Sequence, residues 1–293
     1  MENKEIENYK KAGKIAAETV AFARGFVKKN MLLIEIAEKI EGKISELGGE
    51  CAFPVNLSLN EIAAHYTPGL NDKTIAQGIL KIDLGVVIAG FIADTAFSLD
   101  LTDNEEFKEI IELNEKALDK ALSVIKPGIK VNEIGKQIFS LVKGSKYSVI
   151  RNLSGHSLGE DEIHAGLTIS NYENSNENKL NNIAIAIEPF LTTGNGEVYE
   201  SSLSEIFMLQ KPGSVRDREA RKIIEFISEN YKTRPFCKRW LERKFTKVGF
   251  ILSQLTKQGI LHNFPVLIEK SKKPVSQAEH TVIIHDVAEV TTK

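Results

Sequence analysis

Residues 81–101 read KIDLGVVIAGFIADTAFSLDL, and this stretch decides how the rest of the chain is understood. Val, Ile and Phe crowd both sides of Ala89-Gly90, which predicts two strands joined by a tight turn. With a two-residue loop, Ile88 faces Phe91, Val86 faces Ala93 and Leu84 faces Thr95. Ile82, Leu84, Val86, Ala93 and Thr95 then share one face, and Asp83, Gly85, Val87, Ile92 and Asp94 the other. Asp83 and Asp94 become diagonal neighbours, roughly 7–8 Å apart at the backbone. Ala89 is a poor residue for the positive φ such a turn wants, so the loop could differ by one residue. Two carboxylates on one face of so apolar a hairpin repel each other and lose solvation. A solvated sheet edge would relieve them; so would a proton, a base or a metal.

The chain has 293 residues, enough for a full core in one large domain or two. A net charge of −2 gives no global reason to expect nucleic acid or an anionic membrane as partner. No apolar run is long enough to span a bilayer, and the charged start MENKEIENYKKAGKIAAETV has no signal-peptide apolar core. Cys51 and Cys237, the only two cysteines, lie far apart and suit a reduced, cytoplasmic protein better than a disulfide scaffold.

Helices are expected over 4–28, 33–47, 104–124 and 131–142. Residues 27–40 match 125–138 at a constant offset, with Glu35 on Glu133, Ile36 on Ile134 and Ile40 on Ile138. This suggests two similar halves around one sheet, although two amphipathic helices could match this well by chance. Strands are expected over 148–153, running into Gly155-His156, over 183–187, ending at Glu188-Pro189, and over 275–285, carrying Glu279. Pro189 removes a ladder donor, which places Glu188 where its strand opens out. Residues 211–265 read as an inserted helical subdomain, dividing a main domain of 1–210 and 266–293. Its basic residues, among them Arg234, Lys238 and Arg239, could touch RNA or the ribosome, but a plain solvated helix face accounts for them more simply.

Asp83, Asp94, His156, Glu188 and Glu279 form an oxygen-rich candidate set with one imidazole. That set suits Mn, Fe, Co or Zn better than a thiolate-loving ion. Four negative charges balance two divalent cations, and two such ions can bridge one water and lower its pKa towards neutrality. The outcome would be hydrolysis. By spacing alone the grouping is weak, because its members are spread from Asp83 to Glu279.

The local contexts are more specific. AFPVNLSLNEIAAHYTPG (52–69), DLGVVIAGFIADTAFSL (83–99), NLSGHSLGEDEIHAG (152–166), AIEPF (186–190) and QAEHT (277–281) resemble, in this order, the methionine aminopeptidases of type II in their short archaeal-like form. The resemblance implies an α+β pita-bread (creatinase/aminopeptidase) fold: a curved antiparallel sheet, pseudo-twofold halves and an inserted winged-helix-like subdomain. It implies Asp83 on one metal, His156 and Glu188 on the other, and Asp94 and Glu279 bridging both. Glu188 would also pass a proton towards the leaving amine. His65 and His164 would touch the substrate backbone and the developing oxyanion, and Phe53 and Ile163 would wall the methionine pocket. The substrate would be the N-terminus of a nascent polypeptide, with a small second residue, cleaved by a monomer. Ala89 departs from the acidic or Asn residue usual at the turn. Two rival readings share the fold: a non-catalytic homologue that binds RNA or protein, and an X-Pro dipeptidase. The filled ligand positions oppose the first, and the insert together with the missing N-terminal domain opposes the second.

Overall fold

The computed structural model describes every residue except Pro212 and Ser214, so that part of the expected 211–265 insert lies outside the described residues. The hairpin forms as read: strands Ile79–Ile88 and Phe91–Asp100 pair with Ile88 opposite Phe91 and Gly85 opposite Asp94. Ala89 and Gly90 take φ values of 49° and 90°, the positive pair that matches a two-residue loop to the twist of its strands. Both faces of the hairpin are buried. Leu84, Val86 and Ala93 pack in one core with the first two helices, whereas Val87 and Ile92 join a second with Phe53 and Ile163.

Helices Asn3–Phe26 and Leu33–Glu46 cover the hairpin with Ala12, Ala16, Ile36 and Ile40. Helices Lys108–Ser123 and Val131–Val142 do the same for the second half with Ile110, Ala117, Ile134 and Ile138. The third helix starts later than 104 because Asp100 ties the preceding loop, accepting from the amides of Thr102 and Phe107. The internal repeat is structural. Asn30 and Gly128 both have positive φ and donate to the carbonyls of Ala76 and Leu180. The isolated bridges Leu32–Ile75 and Lys130–Lys179 follow at equivalent places.

In the second half, strand His280–Ile284 lies between Ala288–Val290 and Ile183–Ile187, followed by Ser154–Leu158 and Thr168–Ser170. Two expected strands are split. The 148–153 strand is only Ser148–Val149, and His156 sits in Ser154–Leu158 after a turn. The 275–285 strand breaks into Val275–Gln277 and His280–Ile284. One cause serves the second break: the chain changes sheets at Glu188-Pro189, where Ile183–Ile187 ends and Phe190–Thr192 begins, and its neighbour breaks alongside. Glu188 and Glu279 therefore occupy a joint between sheets. The halves meet there: the Glu279 amide donates to Ala96 O at 2.9 Å, and Thr281 Oγ1 to Asp94 O at 2.8 Å.

The inserted stretch carries helices Arg218–Asn230, Lys238–Glu242 and Val248–Lys257 around Ile223, Phe236, Leu241 and Leu252. It is not all helical. Strand Leu261–Glu269 runs across the expected 265/266 boundary and pairs with Val198–Leu209, as does Phe236–Cys237. Nor are its basic residues all solvated: Arg234 and Arg239 are 5% and 1% exposed, because each meets acidic groups on the main body. Among the described residues no helix is long and apolar enough to cross a membrane.

The strain at Ala89 has a measurable consequence. A left-handed Ala costs about 1–2 kcal/mol, and Asn tolerates that region better. Ala89→Asn is expected to raise the stability of the protein by about 0.5–1 kcal/mol, read as a higher denaturant midpoint with an unchanged slope.

Candidate metal centre

The five candidate side chains converge because of strand register. Asp83 and Asp94 face the same side of the hairpin, two pairs apart on its ladder. His156 and Thr281 both pair with Ala186. Continuing that ladder past Ile187–His280 sets Glu188 opposite Glu279, on the face that carries His156. The backbone of Glu188-Pro189 is held from behind: Asn171 Nδ2 donates to Glu188 O at 3.0 Å, and Asn114 Nδ2 to Pro189 O at 3.0 Å.

All five residues line one cavity of about 340 Å³, together with His65, His164, Phe53 and Ile163. Single donor atoms of Asp94, His156 and Glu279 lie within 4.8 Å of one another. His156 Nε2 is 3.7 Å from Asp94 Oδ2 and 3.5 Å from Glu188 Oε1. Its Nδ1 faces Ser157 O at 3.4 Å. A carbonyl only accepts, so Nδ1 carries the proton and the Nε2 lone pair points at the carboxylates.

The electrostatics call for a cation. Asp83 Oδ1, Asp94 Oδ1 and Glu279 Oε1 are buried and have no hydrogen-bond partner among the described residues. Burial pushes the Asp83 carboxyl up to about 7. Asp94, Glu188 and Glu279 are raised well above the carboxylate range, by burial first and then by the charge of neighbouring carboxylates, Asp83 among them. Burial lowers His156 to about 3, which keeps its imidazole neutral and able to ligate. Orphaned carboxylate oxygens beside a neutral, correctly oriented imidazole fit a hard or borderline divalent ion.

His65 and His164 flank this group. His65 has φ 65° and follows strand Ile62–Ala64. Its Nδ1 lies 3.0 Å from Pro265 O, and burial depresses the ring to about 4. Nδ1 must therefore donate, which leaves Nε2 as an acceptor. The ring of His164 stands edge-on to His156 at 4.5 Å between centroids. Phe53 fits over the hairpin only because residue 85 is Gly: a Cβ there would come within 2.3 Å of the Phe53 ring.

Several residues that touch the site escaped the reading of the sequence. Gln277 donates through Nε2 to Asp83 Oδ2 at 3.2 Å. It stands in the QAEHT motif, but nothing in its type marks it. Pro235 and Phe264 also line the cavity, although both fall within 211–265. Phe264 packs against His65 at 5.4 Å. An aromatic residue in a strand carries no signal of such a role.

The chain belongs to metallopeptidase family M24, whose model matches residues 7–225. Along its whole length it is similar to the methionine aminopeptidase of Methanocaldococcus jannaschii, at 39% identity over 296 residues covering 99% of this chain and 100% of the relative. The methionine aminopeptidase structure from Rickettsia prowazekii superposes with a TM-score of 0.72 at 22% identity, covering 100% of this chain and 98% of that one. A thermophilic Arx1 structure superposes with a TM-score of 0.84 at 15% identity, covering 99% and 91%. The curled antiparallel sheet with helices on its back is accordingly the pita-bread fold.

Stripping and restoring metal tests the centre through pH. In chelated protein the folded carboxyls hold protons that the unfolded chain, near pH 4, has already released. The carboxyls' own contribution to the stability of the chelated protein should therefore fall as pH rises from about 4 to about 7, while His156 and His65, held at about 3 and about 4, contribute in the opposite direction over the same window whether or not metal is present. A divalent ion needs the deprotonated groups, so its stabilising effect should grow over the same window. The expected result is a Tm gain on adding Mn²⁺ that is much larger at pH 8 than at pH 5. Equal gains at both pH values would count against this site.

Proposed function

We propose that the chain is a metal-dependent aminopeptidase that removes N-terminal methionine from polypeptides whose second residue is small. The observation that carries this reading is one cavity in which partnerless carboxylate oxygens lie beside an apolar wall of Phe53 and Ile163. We further assign it to the type II group, with two divalent ions drawn from Co, Mn, Fe or Zn and 211–265 as the inserted subdomain. Nascent chain ends in the cytoplasm are its substrates, and the monomer is the working form.

Asp83, Asp94, His156, Glu188 and Glu279 would hold the ions. When bound, the ions supply Lewis acidity and a nucleophile at neutral pH. The remaining roles belong to the chain. Phe53 and Ile163 take the methionine side chain, the ring edge suiting a thioether. His65 Nε2, an acceptor, receives a substrate N–H and fixes the scissile bond. His164 donates to the carbonyl oxygen as negative charge develops there. Glu188, whose Oε1 lies 3.5 Å from His156 Nε2 inside the cavity, would also pass a proton to the leaving amine.

His164→Ala should keep its metal and its fold yet lose about 10²–10³ in kcat, with KM little changed. Metal content and kcat measured on one preparation decide this: metal lost in step with activity makes His164 a ligand, and an unchanged kcat makes it a bystander. Specificity tests the function itself. A Met-Ala-Ser peptide should be cleaved, Met-Lys-Ser resisted and the Met-Pro dipeptide ignored, with chelator abolishing all turnover. Preferential cleavage of Met-Pro would point to a dipeptidase, and no cleavage of any peptide at saturating Mn²⁺ to a binding protein.

A further inference from the structure

The two histidines stand on separate loops, and each loop is tied to the inserted stretch as well as to its own half of the molecule. The His164 loop, 159–166, turns at Asp161, which takes φ 54° and donates its amide to Gly90 O at 2.7 Å. Asp161 is 6% exposed and is gripped by three successive residues of the inserted stretch. Lys232 Nζ and Arg234 Nε hold its two carboxylate oxygens, the latter at 3.2 Å, and Thr233 Oγ1 donates to its backbone oxygen at 2.6 Å.

The His65 loop, 65–69, is held from the same segment. The buried Arg239 donates from Nε to Pro68 O at 3.0 Å and reaches Thr67 Oγ1 at 3.4 Å. Its fork closes on Glu41 at 2.7 and 2.8 Å, and Trp240 Nε1 donates to the same carboxylate at 2.9 Å. Glu41 is on helix Leu33–Glu46, so this contact locks the segment to the main body. A bidentate Arg–carboxylate pair fixes orientation as well as distance. Both loops bear a non-glycine residue in the left-handed region, a conformation that persists only where surroundings impose it.

We propose that residues 232–239 form a positioning clamp for the two catalytic histidines: the Lys232–Thr233–Arg234 grip on Asp161 sets His164, and Arg239 sets His65. The clamp rests on the roles assigned above to those histidines. It gives the inserted stretch a part in catalysis that needs no contact with substrate and none with metal. A displacement of about 1 Å at such a donor can cost roughly 100-fold in rate.

The test is a set of double-mutant cycles on kcat for Met-Ala-Ser, with metal content measured on every variant. Asp161→Asn keeps the shape and removes the charge. It should lower kcat roughly 10- to 100-fold with KM and metal content unchanged. In a His164→Ala background it should cost nothing further, whereas in a His65→Ala background the full loss should persist. Arg239→Lys should show the opposite pattern, silent only with His65→Ala. Thr233→Val leaves no buried charge unpaired and should reproduce the Asp161→Asn pattern at smaller size, so the His164 cycle survives poor folding of Asp161→Asn. Equal losses in every background would make these contacts merely structural and overturn the clamp. So would an unchanged kcat in both Asp161→Asn and Thr233→Val while His164→Ala remains costly. An unchanged kcat in His164→Ala itself would overturn the clamp together with the reading of the site beneath it.

Discussion

Four carboxylates share one buried cavity, and that repulsion is the constraint the rest of the structure answers. Removing any one of them from water is expensive, and placing four together is far more so unless positive charge is supplied. No Lys or Arg lines the cavity among the described residues. The protein instead sets partnerless oxygens around a neutral imidazole and backs them with polar side chains and backbone groups. Such an arrangement has been given up as a stabilising network and kept as a binding site for cations.

Location follows from the same constraint. The hairpin and the second-half sheet meet at Asp94–Ala96 and Glu279–Thr281, where Thr95, Thr281 and the Glu279 backbone stitch them together. A seam between two similar halves is where carboxylates from both can face one another without interrupting either core. The breaks at Pro189 and at Glu279 are part of this. Each ends a ladder where a side chain must turn into the cavity, and Asn114 and Asn171 satisfy the carbonyls the break leaves free.

Much of this was legible in the sequence. The hairpin register could be read because apolar alternation and a two-residue turn leave one solution. The repeat was visible because Glu35, Ile36 and Ile40 recur at a constant offset as Glu133, Ile134 and Ile138. The site residues stood in motifs whose order is specific. What could not be read depended on pairing across the chain. Nothing local shows that 275–285 must break at Glu279, since the break is imposed by its neighbour at Pro189. Arg239 looked like any basic residue on a helix; only the distant Glu41 makes it a buried anchor. Phe264 and Pro235 were hidden for the same reason: a strand of ordinary pattern delivers Phe264 to the cavity, and the loop before Phe236–Cys237 delivers Pro235.

The central claim is that the shared carboxylates exist to hold divalent cations at the seam. Equilibrium dialysis of Mn²⁺ onto metal-stripped protein, for the wild type and for Glu279→Gln, tests it most directly, with Met-Ala-Ser hydrolysis read on the same samples. Glu279→Gln keeps the shape and removes one charge from the contact between the halves. Wild type should take up Mn²⁺ and hydrolyse the peptide in proportion, and Glu279→Gln should fold but take up less metal and lose hydrolysis. Undiminished metal uptake and hydrolysis in Glu279→Gln would contradict the claim.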